Sequence, residues 1–224
     1  MKLPRARHRW NLTPAGAIAL QSRLAADVIE TALPIRPRLV AGGDCTFADG
    51  GRTIIAGWVV WDRRTHRAVE DVIVRQAVRF PYVPGLLSFR EAPALLAAAR
   101  RLRNEPDLFM IDGQGKAHPR RMGLACHVGL FLDRPTLGCG KSRLCGVCKE
   151  PAARRGSMTR LAQGGEIIGR VVRTIDGVKP VIVSVGHRIT LNDAVQAVLK
   201  CASRFRLPEP IRLADQLVGV ARRP

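Results

Sequence analysis

Three strand-length apolar runs follow one another with no helix between them, at residues 39–47, 53–61 and 68–78. Gly50-Gly51 and the polar stretch 62–67 supply the turns, so the three runs predict an antiparallel meander. A helical pattern at 92–103 comes next, then a short run, 107–111, that is apolar after its first residue. A strand with no polar side belongs inside a sheet covered on both faces. Purely helical and purely β folds are thereby excluded. The order β-β-β-α-β, with more helix and strand beyond, predicts one α/β domain over residues 1–224, a mixed sheet flanked by helices.

The remaining elements are marked with unequal clarity. Thr13 caps a first helix and Pro14 takes its first position. Ile18, Leu20, Leu24, Val28 and Ile29 give that helix an apolar side, and it stops before Pro34. Pro93 is expected in the first turn of the 92–103 helix. Another helix is expected to begin within 119–128, with short strands at 136–139 and 180–185. Thr190-Leu191-Asn192-Asp193 fits a capping pattern and opens a helix over 190–202. A final amphipathic segment spans 211–220.

Charge narrows the partners. Lys and Arg number 37 against 18 Asp and Glu, a net +19. A field this positive favours polyanions, nucleic acid above all. No apolar run approaches the roughly 18 residues of a membrane span, and no signal peptide follows the basic start. Six cysteines in an otherwise ordinary soluble chain read as reduced thiols, which places the protein in a cytoplasm.

Three acids stand where charge is costly. Asp44 lies inside the first apolar run, Asp112 directly ends the 107–111 strand, and Glu91 stands at the mouth of the helix between them. A carboxylate inside or ending a buried strand needs a partner or a metal. Singly, each acid reads as a solvated cap or an arginine's partner. Together, at strand, helix and strand ends, they make a hard oxygen site for Mg²⁺, with Mn²⁺ able to substitute.

The segments around these acids carry a resemblance. AGGDCTF (41–47), PYVPGLLSFRE (81–91), DGQGKAHPRRMGLACHVG (112–129), LGCGKSRL (137–144) and SVGHRITL (184–191) resemble, in order, the motifs of the endonuclease V family. The resemblance implies a ribonuclease-H-like fold and a metal-dependent DNA repair endonuclease for deoxyinosine, the product of adenine deamination. Such enzymes hydrolyse the second phosphodiester bond 3′ to the lesion and leave 3′-hydroxyl and 5′-phosphate ends. It implies Asp44, Glu91 and Asp112 as metal carboxylates, His187 near the scissile phosphate, and Lys141 on phosphate or developing charge. Pro81, Tyr82, Val83 and Pro84 match the family's DNA wedge. Gly85, Leu86, Leu87, Gly113, Gly123 and Leu124 match segments that line its lesion pocket.

The wedge also makes physical sense by itself. Tyr82 is the only tyrosine, and two prolines stiffen the loop that carries it. An apolar loop with one ring can enter a base stack and help extrude a poorly paired nucleotide; a surface turn with a half-buried Tyr is the plainer alternative. His118 falls in a matched block, as a structural cap or a nucleic-acid contact. His8, His66 and His127 match nothing and read as ordinary residues.

Cys145-Gly146-Val147-Cys148, with Cys139 six residues earlier, has the spacing of half a zinc site. The second cysteine pair is missing, so packed thiols are expected. A monomer acting on deoxyinosine in DNA is the leading reading. An endoribonuclease for inosine in single-stranded RNA would use the same metal site, and a non-catalytic nucleic-acid binder would have lost a carboxylate.

Overall fold

The computed structural model describes residues 1–4 and 6–223. Among the described residues eight strands form one sheet. The meander is β1 (Leu39–Ala48), β2 (Thr53–Asp62) and β3 (Arg67–Ala77), paired antiparallel. β4 (Leu108–Ile111) and β5 (Thr136–Gly140) extend it in parallel from β1. β8 (Val181–His187) returns antiparallel to β5, and β7 (Glu166–Val172) and β6 (Met158–Gln163) complete the sheet.

Helices cover both faces, as a mixed ribonuclease-H-like sheet requires. α2 (Leu87–Ala99) and α3 (Leu124–Leu132) pack on one face; α4 (Leu191–Cys201) and α5 (Glu209–Ala221) pack on the other. β4 shows why its run lacks a polar side. Phe109 and Ile111 enter the cluster under α2 and α3, while Leu108 and Met110 enter the cluster under α4 and α5. Alternation along the strand therefore buries every side chain.

Several boundaries differ from expectation. α1 (Pro14–Leu24) begins as foreseen, with Thr13 Oγ1 accepting from the Gly16 N–H at 3.2 Å. It ends in a short 3₁₀ turn before Val28, and Ile18 and Ile29 face solvent. Its buried stripe is Ala17, Leu20, Gln21 and Leu24. α2 starts five residues earlier than expected, so Pro93 lies inside the helix, where its missing N–H leaves one carbonyl without the usual partner. Residues 119–123 turn rather than wind; α3 starts at Leu124. The β6–β7 hairpin was not foreseen, although Gly164-Gly165, both at positive φ, is a strong hairpin signal.

The N-terminal segment is tied to the core by two histidines. His8 Nδ1 lies 2.8 Å from the Arg9 carbonyl, so Nδ1 carries the hydrogen. His8 Nε2 then accepts from His127 Nε2 at 2.8 Å, and His127 Nδ1 accepts from the Ser88 hydroxyl at 2.9 Å. Burial lowers the pKa of both rings, consistent with the neutral forms this chain requires. No helix among the described residues is long and apolar enough to cross a membrane.

Candidate active site

Two glycines decide where Asp44 points. A Cβ at Gly42 would lie 2.0 Å from the Pro210 carbonyl carbon, and one at Gly43 would lie 2.4 Å from the Trp58 ring. α5 therefore rests on the β1 backbone on the Gly42 side. Asp44, two residues on, shares that side by strand alternation. Gly57, opposite Asp44 in the register, likewise faces Val218 and Leu217 of α5. Asp112 follows the last residue of β4, and its N–H donates to the Gly43 carbonyl at 3.0 Å.

α5 brings a third acid to this point. One oxygen each from Asp44, Asp112 and Asp215 lie within 4.8 Å of one another. Asp215 is absent from the sequence-derived set, yet a signal existed. Ile211, Ala214 and Val218 are the buried stripe of α5, and Asp215 sits four residues after Ile211 and three before Val218. An acid on the edge of an apolar stripe is the same anomaly that marks Asp44.

Glu91 approaches from α2, on the opposite face. It lies one turn inside the helix rather than at its mouth, is 8% exposed, and stands outside the three-carboxylate cluster. Burial first, then the charges of Asp44 and Asp112, push its pKa up to about 8. Burial and the Asp112 charge push Asp44 up to about 7, against a 2.8 Å bond from the Cys45 N–H. Burial also raises Asp112, opposed by Lys141.

Lys141 lies just beyond β5, with Nζ 2.7 Å from Asp112 Oδ2 and 2.7 Å from Asp215 Oδ1. Burial works against its charge, but these two carboxylates raise its pKa. The donor set fits a hard divalent cation: three carboxylate oxygens close together, with Asp44 and Asp112 held by burial against ionising without a counter-charge.

His187 is not brought to this cluster. Thr136, at the start of β5, pairs with His187 on one side and with Phe109 on the other. Asp112 is three residues further along, roughly 10 Å at about 3.3 Å per residue, and two strands away. His187 is fully buried, with Nε2 3.3 Å from Asp133 Oδ1 and Nδ1 accepting from the Ile29 N–H at 3.3 Å. Arg188 holds the same Asp133 oxygen at 2.7 Å. The structure thus places His187 away from the aspartate cluster: β8 runs antiparallel to β5, so its last residue lies at the opposite end of the strands from Asp112.

A cavity of about 360 Å³ opens beside Asp112 and Lys141. Val83, Pro84, Gly85 and Leu87 form one wall, and Gly113, Gly123 and Leu124 another, with Tyr82 at 71% exposure also on its lining. Pro81 is exposed at the start of the same loop. Leu86 departs from expectation. It is fully buried among Phe80, Phe89 and Met122 and anchors the loop from below.

His118 is a clamp. Its Nδ1 accepts from the Arg120 N–H at 3.2 Å, so Nε2 carries the hydrogen and donates to the Gly85 carbonyl at 3.0 Å. Burial, helped by Arg120, lowers its pKa to about 4, which keeps that tautomer neutral. The six cysteines are free thiols: Cys139 is buried in β5, and Cys145 and Cys148 pack partly against the cluster of Leu161 and Ile168. Among the described residues the one group of three or more potential metal ligands is the aspartate cluster.

The profile of the endonuclease V family ("Endonuclease V") matches residues 22–216. Endonuclease V of Alkalilimnicola ehrlichii is 47% identical over 221 residues, covering 98% of this chain and 97% of that protein. The crystal structure of endonuclease V from Streptomyces avermitilis superposes with a TM-score of 0.90 at 41% identity, over 95% of this chain and 94% of that one. The endonuclease V of Ciona intestinalis, in complex with a 23mer DNA containing an inosine followed by a ribo-adenosine, shares the fold with a TM-score of 0.81 at 24% identity, over 94% and 98% of the two chains.

Proposed function

The chain belongs to the endonuclease V family and is thus a nuclease, and from that premise we propose that it cleaves DNA at deoxyinosine, hydrolysing the second phosphodiester bond 3′ to the lesion. The products carry 3′-hydroxyl and 5′-phosphate ends. The observation that carries this reading is one cavity with two kinds of lining residue. Tyr82 and Gly85 line it together with Asp112 and Lys141. Base recognition and phosphodiester chemistry are thereby adjacent but separate.

Asp44, Asp112 and Asp215 would hold Mg²⁺ or Mn²⁺, with Glu91 behind them. When bound, the ion supplies Lewis-acid polarisation of the phosphoryl oxygen and acidifies a water. Lys141 donates to phosphate oxygen or to the charge that develops on it. Pro81, Tyr82, Val83 and Pro84 enter the stack, and Gly85, Leu87, Gly113, Gly123 and Leu124 receive the displaced base. The net +19 supplies affinity for the backbone regardless of sequence. We place this activity in the cytoplasm, carried out by a monomer.

The same site would serve inosine in single-stranded RNA. The ribo-adenosine after the inosine in the Ciona complex is the observation that favours keeping this second reading. Matched oligonucleotides carrying deoxyinosine in DNA and inosine in RNA decide between them, with Mg²⁺ present and product ends mapped. Faster cleavage of the RNA by tenfold or more makes the enzyme a ribonuclease. Cleavage of neither removes the proposed substrate class.

A further inference from the structure

Gln21 is a polar residue in an apolar stripe. Ala17, Leu20 and Leu24 of α1 pack toward Phe80, Leu86, Phe89 and Met122, and Gln21 lies among them with no exposure. A buried amide is costly unless its groups are bonded. Here both ends are used. Gln21 Nε2 donates to the Met122 carbonyl at 2.6 Å and to the Gly85 carbonyl at 3.2 Å, and Oε1 accepts from Arg120 Nε at 2.6 Å.

These bonds converge on one peptide. The Gly85 carbonyl receives Gln21 Nε2, His118 Nε2 at 3.0 Å and Arg120 Nη2 at 2.8 Å. A carbonyl oxygen offers two lone pairs, so three donors over-determine its direction. Gly85 has φ +78°, a left-handed conformation that suits glycine, and a Cβ there would lie 2.9 Å from Arg120 Nη2. Gly85 directly follows Pro84 of the Tyr82 loop. Met122, the other carbonyl on Gln21, directly precedes Gly123 and Leu124, a second segment that lines the same cavity.

We propose that Gln21, with His118 and Arg120, is a positioning residue that locks the Tyr82 loop to the Gly123–Leu124 segment lining the same base cavity and so sets the geometry of base entry. This rests on the reading of the cavity as the base pocket. A purely structural residue at this place need only be apolar and of similar size, and methionine would serve. The amide instead spans two segments that no backbone pairing joins. A wedge that pushes into stacked bases is pushed back, and the clamp is what keeps the loop from recoiling.

The test compares full-length wild type with Gln21→Met in two measurements. The first is amide hydrogen exchange over residues 80–88 without nucleic acid, which reads the clamp whatever the substrate. Exchange faster by tenfold or more is expected there, with α4 unaffected; unchanged exchange overturns the proposal. The second is single-turnover cleavage of deoxyinosine in duplex and in single strand. The duplex-to-single-strand rate ratio is expected to fall about tenfold, because an unpaired base needs less extrusion. Equal loss on both substrates also overturns it. Wild type that cuts neither substrate refutes the proposed function instead, and the exchange measurement still decides on the clamp. Should Gln21→Met fail to fold, Arg120→Met removes two contacts from a partly exposed side chain and is expected to lower the same ratio.

Discussion

Lys141 and Asp112 form an ion pair at 2.7 Å, and the same ammonium reaches Asp215 at 2.7 Å. The lysine thus supplies positive charge at one side of the acidic cluster, where a divalent cation would also be drawn. Ionisation of Asp44 and Asp112 is opposed first by their burial and then by neighbouring carboxylates.

Asp44→Asn and Asp215→Asn each remove a carboxylate of the proposed metal site with little change in size. Single-turnover cleavage in Mg²⁺ is expected to fall by about 100-fold or more, since even outer partners of a metal site cost 10–100-fold. Affinity for DNA should persist or tighten, because basic residues supply most of the binding and a repulsive charge has gone. Cleavage near the wild-type rate in either variant would remove that residue from the metal site.

The raised carboxylates also predict a pH dependence of stability. Asp44 near 7 and Glu91 near 8 keep protons in the folded, metal-free protein that the unfolded chain has released above about 4. The unfolded state therefore binds fewer protons over that window, and stability falls as pH rises. The contribution is complete below about pH 4 and is lost as pH passes the folded values, about 7 and 8. Melting temperatures in EDTA should decline between pH 5 and 8, and Mg²⁺ should offset the decline by stabilising the ionised form. Asp44→Asn should flatten the slope in EDTA. A metal-free melting temperature that climbs with pH and ignores this substitution contradicts the assigned environment.

What the sequence revealed of the site depended on whether an anomaly was visible along the chain or only across it. Asp44 and Asp112 were legible because a charge interrupts or ends an apolar strand. Asp215 carried an equivalent signal, but on a helix where three apolar residues looked like an ordinary packing stripe. Gln21 was hidden in the same way. The distance of His187 from the aspartates was hidden for another reason: a motif at the end of a strand does not say at which end of the sheet's strands that residue lies. That needs the antiparallel pairing of β8 with β5. Tertiary packing overrode local signals at α2, where the helix continues through Pro93 because Phe89, Leu95 and Leu96 bury on either side of it.

The position of His187 is itself open to measurement. His187→Gln disturbs the acceptor for the Ile29 N–H and the contact to Asp133. A fully buried donor left unpaired costs about 1–3 kcal/mol; the Ile29 N–H is only partly buried, so thermal or denaturant unfolding should show a loss toward the lower end of that range. Single-turnover cleavage at 25 °C should stay within about fivefold, well short of the 10²–10⁴ typical of a lost proton-transfer group. A drop of 100-fold in folded protein would mean that His187 acts in the chemistry despite its distance.

Tyr82→Ala separates recognition from chemistry, because it leaves every carboxylate and Lys141 in place. Tyr82 is 71% exposed on the loop that lines the cavity, so its removal opens no core void. In complex with DNA its ring would fill the gap left by the displaced base. Base–aromatic stacking is worth about 1–3 kcal/mol, or roughly 5- to 150-fold at about 1.4 kcal/mol per tenfold. The loss should appear chiefly in preference for deoxyinosine in duplex over undamaged duplex. In single strand, where less unstacking is needed, the loss should be smaller. Wild type and variant are compared on both substrates at one salt concentration, since the electrostatic share of affinity changes steeply with salt. If Tyr82→Ala slows duplex and single-strand cleavage by the same factor, the ring does not act as a wedge. Its exposure would then reflect only the turn that two prolines impose.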